Sequence, residues 1–407
     1  MIVNKLDNGL SVVIEKRTQT QLAVVNVLYK VGSRNEKRGK TGMAHLLEHL
    51  MFEGSKKFPE FDQTIHLLGG ENNAYTTNDY TNYYDVLPAE NLEKAIEIEA
   101  DRMMHLQISA KKFKNQQQVV IEEFKESHLN MPYGNHWHEL CRMMYPGHYY
   151  EWPVIGANIH EIDSFLLNEV IDFYKTYYSP QNAVVSVVGN IDEQKTLSLL
   201  KAHFGAIPSI GQIPSLQASA LLPAREQKTL REQVPQNALY MAFAAPMRYD
   251  KSFYTMDLIC DILSNGESSR FYDHLYKKQK LFSEIDAYVT ANIGQGMLVI
   301  EGKLNEGVTL DKAADAILQE ISILHRDGLA PQELDKVKNK AESFCVFSNY
   351  QLTNRAANLC LFNAYDSIEH LTIEHESYQQ ITKEDIRIML QDYFLHGRIV
   401  ELRYEKI

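Results

Sequence analysis

The stretch that most constrains this chain is Thr41-Gly42-Met43-Ala44-His45-Leu46-Leu47-Glu48-His49-Leu50-Met51-Phe52-Glu53-Gly54. Thr41 is a candidate helix cap and Gly54 a candidate stop, and the residues between them are good helix formers with no proline. Positions i and i+4 share one helix face, so His45 and His49 can both point at one ion. Glu48 stands one residue before the second histidine, at the edge of that face. Almost every other position is apolar, which makes the helix a buried one whose three polar groups need a reason to be there. A lone buried histidine is more often a satisfied core residue than a ligand. Three such groups on one turn read instead as the H-x-x-E-H pattern of metallohydrolases, two metal ligands and a base.

At 407 residues the chain has room for two or more domains with substantial cores. Its hydrophobic content of 44% and charged content of 23% are those of an ordinary globular protein. The net charge of -12 argues against nucleic acid as a partner. Cys141, Cys260, Cys345 and Cys360 form no C-x-x-C pair, so neither a cysteine zinc site nor a redox motif is offered, and reduced, mostly buried thiols are expected. No basic segment followed by an apolar one opens the chain, and no apolar run approaches transmembrane length. A cytoplasmic location with no membrane partner is therefore expected.

Periodicity predicts strands at 10–15 and 22–31, then a polar loop at 32–41 that contains Gly-Lys-Thr. This loop is not a phosphate-binding loop, because the spacing demands glycine where Arg34 stands. Helices follow at 61–68, 90–105, 111–129, 162–177 and 192–204, with strands at 80–87 and 183–188. Pro208, Gly211, Pro214 and Pro223 mark a shift in composition. It divides the chain into a first domain at 1–206, a linker at 207–226 and a second domain at 227–407. The second half restarts on a similar plan: strand 238–244, helix 253–263, strands 285–290 and 296–302. Helices at 310–325, 331–347, 352–365 and 383–393 and a strand at 398–403 complete it. Setting Gly266 against Gly54 places Asp257, Cys260 and Asp261 where His45, Glu48 and His49 stand, so the repeat lacks the metal motif. The fold class is α+β, two homologous domains each with an antiparallel-rich sheet flanked by helices.

A catalytic zinc needs a third protein ligand. The helix at 111–129 offers Glu122, Glu123 and Glu126, any one of which alone reads as part of a solvated acidic face. His136-Trp137-His138 is the other histidine cluster. Neighbours two apart diverge on a helix, so a surface or packing role is expected for it, and no site is assigned to His148 or His160.

His45 to His49 followed by Val119-Val120-Ile121-Glu122-Glu123-Phe124 resembles the M16 peptidases: pitrilysin, insulin-degrading enzyme and the mitochondrial processing peptidases. Gly69-Gly70-x-x-Asn73-Ala74-x-Thr76, Thr81-x-Tyr83-Tyr84, Ser179-Pro180-x-Asn182-Ala183 and Ser268-Ser269-Arg270 extend the likeness along almost the whole chain. The resemblance implies a small two-domain subunit with a LuxS/MPP-like metallohydrolase fold. It implies one zinc ion per chain held by His45, His49 and Glu123, with Glu48 as general base, making an endopeptidase. Asn73 and Ala74 match the family's substrate-binding edge strand. Gln116 stands where members often carry a second glutamate supporting the ligands. The Arg and Tyr that members supply in the second half are replaced by Tyr276 and Ser283, which implies the zinc-bearing subunit of a heterodimer with a homologous chain, or a homodimer as the alternative. A non-catalytic scaffold subunit and a zinc hydrolase acting on a non-peptide substrate are the competing readings, and zinc content and peptide cleavage discriminate them.

Overall fold

The structure, a computed structural model, describes residues 1–209, 212–216 and 221–407. Gly211 and part of the expected linker lie outside the described residues. The chain packs as two compact units. The first comprises Met1–Phe124, Trp152–Gln217 and Phe347–Thr372, and the second Lys125–Glu151, Ala218–Val346 and Ile373–Ile407. The contiguous division at 207–226 is thus crossed twice, by 125–151 and by 347–372.

The first unit is built on a six-stranded sheet of β1 (Ile2–Lys5), β2 (Ser11–Lys16), β3 (Leu22–Tyr29), β4 (Glu71–Thr76), β5 (Thr81–Pro88) and β6 (Ala183–Gly189). Their order is β1-β2-β6-β3-β5-β4, with β2 and β6 parallel and the other pairs antiparallel. β6 reads Ala-Val-Val-Ser-Val-Val-Gly and is buried at every position, as a strand covered on both faces must be. The alternation of strand side chains sorts the faces. Val25, Val27, Tyr83, Val185 and Val187 pack with Leu46, Leu47 and Leu50 of the motif helix in one core.

The opposite face carries Glu15, Asn26, Asn82 and Ser186, and this polar row explains why 347–372 belongs here. The helix Leu352–Tyr365 lies against β2, β3 and β6. Arg355 grips Glu15 through Nη2 at 2.7 Å and Nε at 3.1 Å. Ser186 Oγ donates to the Ala356 carbonyl at 2.7 Å. Asn26 and Asn82 exchange amide bonds at 2.8 and 2.9 Å, and Asn26 Nδ2 reaches Cys360 Sγ at 3.2 Å. A buried row of amides and a carboxylate needs such partners.

The second unit is built on β7 (Arg225–Glu232), β8 (Ala238–Ala245), β9 (Phe282–Val289), β10 (Gly296–Leu304) and β11 (Ile399–Lys406), in the order β7-β11-β8-β10-β9. Taken in chain order, β7 to β11 occupy the places of β2 to β6, including the parallel pair, here β7 with β11. The helix Lys251–Ser264 follows β8 as the motif helix follows β3, so the internal repeat is visible in topology. The helix His136–Met144 brings Leu140 and Met144 into one cluster with Val299, Val400 and Leu402, which is why 125–151 packs in this unit.

The periodicity located most elements to within a few residues. It missed β1, β4, the helices His136–Met144, Phe271–Lys278 and Ile368–Gln379, and β7, whose Arg-Glu-Gln-Lys-Thr-Leu-Arg-Glu is almost wholly polar because it is an edge strand. The expected helix at 162–177 is two helices, Ile159–Asp163 and Leu167–Tyr177, the first capped by Asn158. No helix among the described residues is long and apolar enough to cross a membrane.

Candidate metal centre

The motif helix runs from Met43 to Met51, and its buried positions are Met43, Ala44, Leu46, Leu47, Leu50 and Met51. This apolar face fixes the rotation of the helix, so His45, Glu48 and His49 emerge on the other side. Thr41 does not cap it. Gly42 precedes the helix at φ +92°, and a side chain there would put Cβ 2.7 Å from the Ile155 carbonyl oxygen. The capping group comes from the loop just before the helix. Buried Glu36 accepts from Gly42 N–H at 2.9 Å and Ala44 N–H at 2.8 Å, and the Trp152 indole N–H donates to the same carboxylate at 3.0 Å. A carboxylate satisfies the open N–H groups of a helix start and suits its dipole. Burial nevertheless lifts the Glu36 pKa to about 8 against those bonds. Thr41 instead donates to Glu161 Oε2 at 2.6 Å.

The second helix of the centre, Ala110–Phe124, ends beside the first, and the expected helix 111–129 continues past Phe124 only as a wider turn, Lys125–Leu129. Glu123 near its end reaches both histidines. Its Oε1 is 3.8 Å from His45 Nε2 and its Oε2 is 3.6 Å from His49 Nε2. One ligand atom from each of the three lies within 4.8 Å of the others, and among the described residues no other group of three such side chains does so. Glu122 and Glu126 are not part of it. The imidazole planes stand at 86° with centroids 4.8 Å apart, so the rings converge edgewise instead of stacking.

The donor chemistry fits a zinc ion. Two imidazole nitrogens and one carboxylate oxygen are the set a catalytic zinc takes, leaving one position open. Burial, with His49 adding a smaller push, lowers the His45 pKa to about 3, so the ring is neutral as a ligand must be. Glu48 receives a hydrogen bond from Thr76 Oγ1 at the end of β4. Burial raises its carboxyl pKa, and the Thr76 bond and His49 pull it back. Gln116, about two helical turns before Glu123, places Oε1 3.3 Å from His49 Nδ1. β4, with Asn73 and Ala74, is one of the two edge strands of its sheet.

In the second unit Tyr276 stacks on Tyr272 with centroids 5.1 Å apart. Ser283, the second residue of β9, accepts from Gln236 Nε2 at 2.7 Å and donates to the Lys303 carbonyl at 3.2 Å. Neither side chain carries charge. His136 stacks on Tyr240 at 4.7 Å and His138 is buried, the packing role expected of them. Asp257, at the place of His45 in the repeat, accepts from Tyr378 Oη at 2.7 Å. Reading the residues in line missed Glu36, Trp152 and the Thr76 bond to Glu48. No motif advertises them: Trp152 and Thr76 arrive from distant segments, and Glu36 arrives through the bend of the loop before the helix.

Similarity to known proteins extends along most of the chain. The family model described as insulinase (peptidase family M16) matches residues 11–144, and the one described as peptidase M16 inactive domain matches 164–341. The zinc protease PqqE of Helicobacter pylori is 29% identical over 398 residues, covering 96% of this chain and 89% of that protein. The uncharacterized zinc protease YmxG of Bacillus subtilis is 24% identical over 373 residues, 90% of each. Among solved structures, a protease from Helicobacter pylori superposes with a TM-score of 0.93 at 26% identity over 99% of both chains. Pitrilysin shares the fold with a TM-score of 0.76 at 19% identity, and this chain spans 44% of it.

Proposed function

This chain belongs to the M16 peptidase family, and from that premise we propose that it is a zinc-dependent endopeptidase acting on peptides or unfolded polypeptides. The observation that carries the reading is the convergence of His45, His49 and Glu123 within 4.8 Å, with Glu48 on the same helical turn. His45, His49 and Glu123 would hold one zinc ion, which supplies a Lewis acid for the scissile carbonyl and acidifies a water molecule. Glu48 accepts the proton of that water and delivers it to the leaving amine. Thr76 holds one oxygen of Glu48 and so aims the other. Gln116 supports His49 from behind. The peptide adds to the outer edge of β4 as a further strand, so main-chain bonds at Asn73 and Ala74 provide affinity with little demand on sequence.

Glu48→Gln tests the base assignment. The variant keeps its zinc and loses turnover by about 10²–10⁴-fold; an active variant refutes the role. Zinc content comes first, because a chain that takes up no zinc is a scaffold subunit.

Tyr276 and Ser283 support a second element of the proposal: this chain is the zinc-bearing half of a heterodimer. Neither can replace an arginine clamp or a tyrosine donor toward the developing oxyanion. A homologous partner bearing both would complete the site, and a second copy of this chain would not. Cleavage by the purified chain that is as fast without such a partner as with it refutes this.

A further inference from the structure

Glu53 lies just beyond the end of the motif helix, next to Gly54, and nothing in the reaction described so far uses it. Its Oε1 accepts a 2.7 Å hydrogen bond from Gln116 Nε2. A carboxylate can only accept, so this bond decides which way the amide faces: the NH2 group turns to Glu53 and Oε1 turns to His49. An amide oxygen can also only accept. His49 Nδ1, 3.3 Å away, must therefore carry the ring proton. That leaves the lone pair on Nε2, the nitrogen 3.6 Å from Glu123, which is the tautomer a ligand through Nε2 requires. Lys112, one turn before Gln116, holds Glu53 in place. Its Nζ donates to the Glu53 carbonyl oxygen and lies 3.6 Å from Oε2.

We propose that Glu53 is a positioning residue of the metal centre, acting through Gln116 to set the orientation and tautomer of His49. The inference rests on the zinc reading of His45, His49 and Glu123. It answers the difficulty that Gln116 raises, since a neutral amide alone is a weak orienting partner for a ligand imidazole. Here the carboxylate stands one hydrogen bond further out and polarises the amide between them.

Zinc affinity of the full chain, measured by competition with a chromophoric chelator, tests this beside thermal melting of the metal-free protein. Glu53→Gln is expected to weaken zinc binding about tenfold with metal-free melting unchanged. The double variant Glu53→Gln/Gln116→Glu is expected to recover the wild-type affinity within about twofold. In it the new carboxylate accepts a hydrogen bond directly from His49 Nδ1–H and the new amide at position 53 donates to that carboxylate. Two results overturn the proposal: Glu53→Gln binding zinc as tightly as the wild type, or the double variant binding no better than Glu53→Gln. A shift in metal-free melting with unaltered zinc affinity also overturns it, leaving Glu53 a packing residue. A wild-type chain that binds no zinc sinks the underlying metal reading instead, so the two failures are distinguishable.

Discussion

A chain ended at residue 217 contains the whole H-x-x-E-H motif and Glu123, yet it lacks the helix Leu352–Tyr365, and we expect it not to form a stable metal site. The missing helix buries Ala356, Leu359, Cys360 and Phe362 and supplies Arg355 to Glu15. Burying a leucine or phenylalanine side chain contributes about 1.5–3 kcal/mol, so Leu359 and Phe362 together are worth about 3–6 kcal/mol. Leaving Glu15 with only Arg17 adds to the loss, as does wetting the sheet face of Val24, Leu28 and Val184. Domain stabilities are only about 5–15 kcal/mol, so the deficit consumes much of the first unit's stability. Near-ultraviolet circular dichroism and chelator competition on residues 1–217 provide the assay, with a peptide of residues 347–372 added in trans. The peptide should restore cooperative melting and zinc binding, and a peptide carrying Arg355→Ala should do so poorly. A fragment that melts cooperatively and binds zinc like the full chain, with no peptide present, refutes the reasoning.

The same contact has a pH signature. Burial raises the Glu15 pKa, but the bonds from Arg355 and Arg17 overcome this and hold it below the ordinary 4.5. A depressed carboxylate stabilises the fold fully above that ordinary value and loses the contribution as pH falls through the lowered one. Arg355→Met should therefore lose less stability than the wild type on acidification below pH 4.5, read by melting at stepped pH. Glu36→Ala removes the bonds to Gly42 N–H and Ala44 N–H and should cost about 0.5–2 kcal/mol, as the loss of a helix cap does, measured by denaturant unfolding. Stripping zinc with a chelator should lower the melting temperature, since free metal at about a hundred times its dissociation constant adds about 2.7 kcal/mol. Identical melting with and without metal would refute a zinc site here.

The turn that carries His45, Glu48 and His49 was legible because its constraint is local. An α-helix sets residues four apart on one face, and an apolar surround makes polar exceptions conspicuous, so His45, Glu48 and His49 could be read in line. Glu123 was one of three glutamates on a helix, and only a family likeness singled it out; the packed helices separate it from Glu122 and Glu126 by where each carboxylate ends. The repeat was legible too, since β8 and the helix Lys251–Ser264 echo β3 and the motif helix in apolar pattern.

Contiguity along the chain was the wrong guide to packing. A Pro-rich composition shift marks where local structure pauses, but burial does not respect chain order. The helix Leu352–Tyr365 has a low apolar contrast of its own, and it is the polar row Glu15, Asn26, Asn82 and Ser186 that specifies where it docks. Each member of that row lies on a different strand or far along the chain from its partner, so no window of sequence contains the signal. The same holds for Glu53 behind Gln116, 63 positions away. By itself the sequence determined the turn that presents His45, Glu48 and His49, the α+β class and the duplication, because periodicity and spacing are short-range properties of the backbone. Only the tertiary structure decided which carboxylate meets the two imidazoles, which groups hold them in place and which segments build each unit, because hydrogen bonds between residues tens to hundreds of positions apart exist only once the sheets and helices have packed.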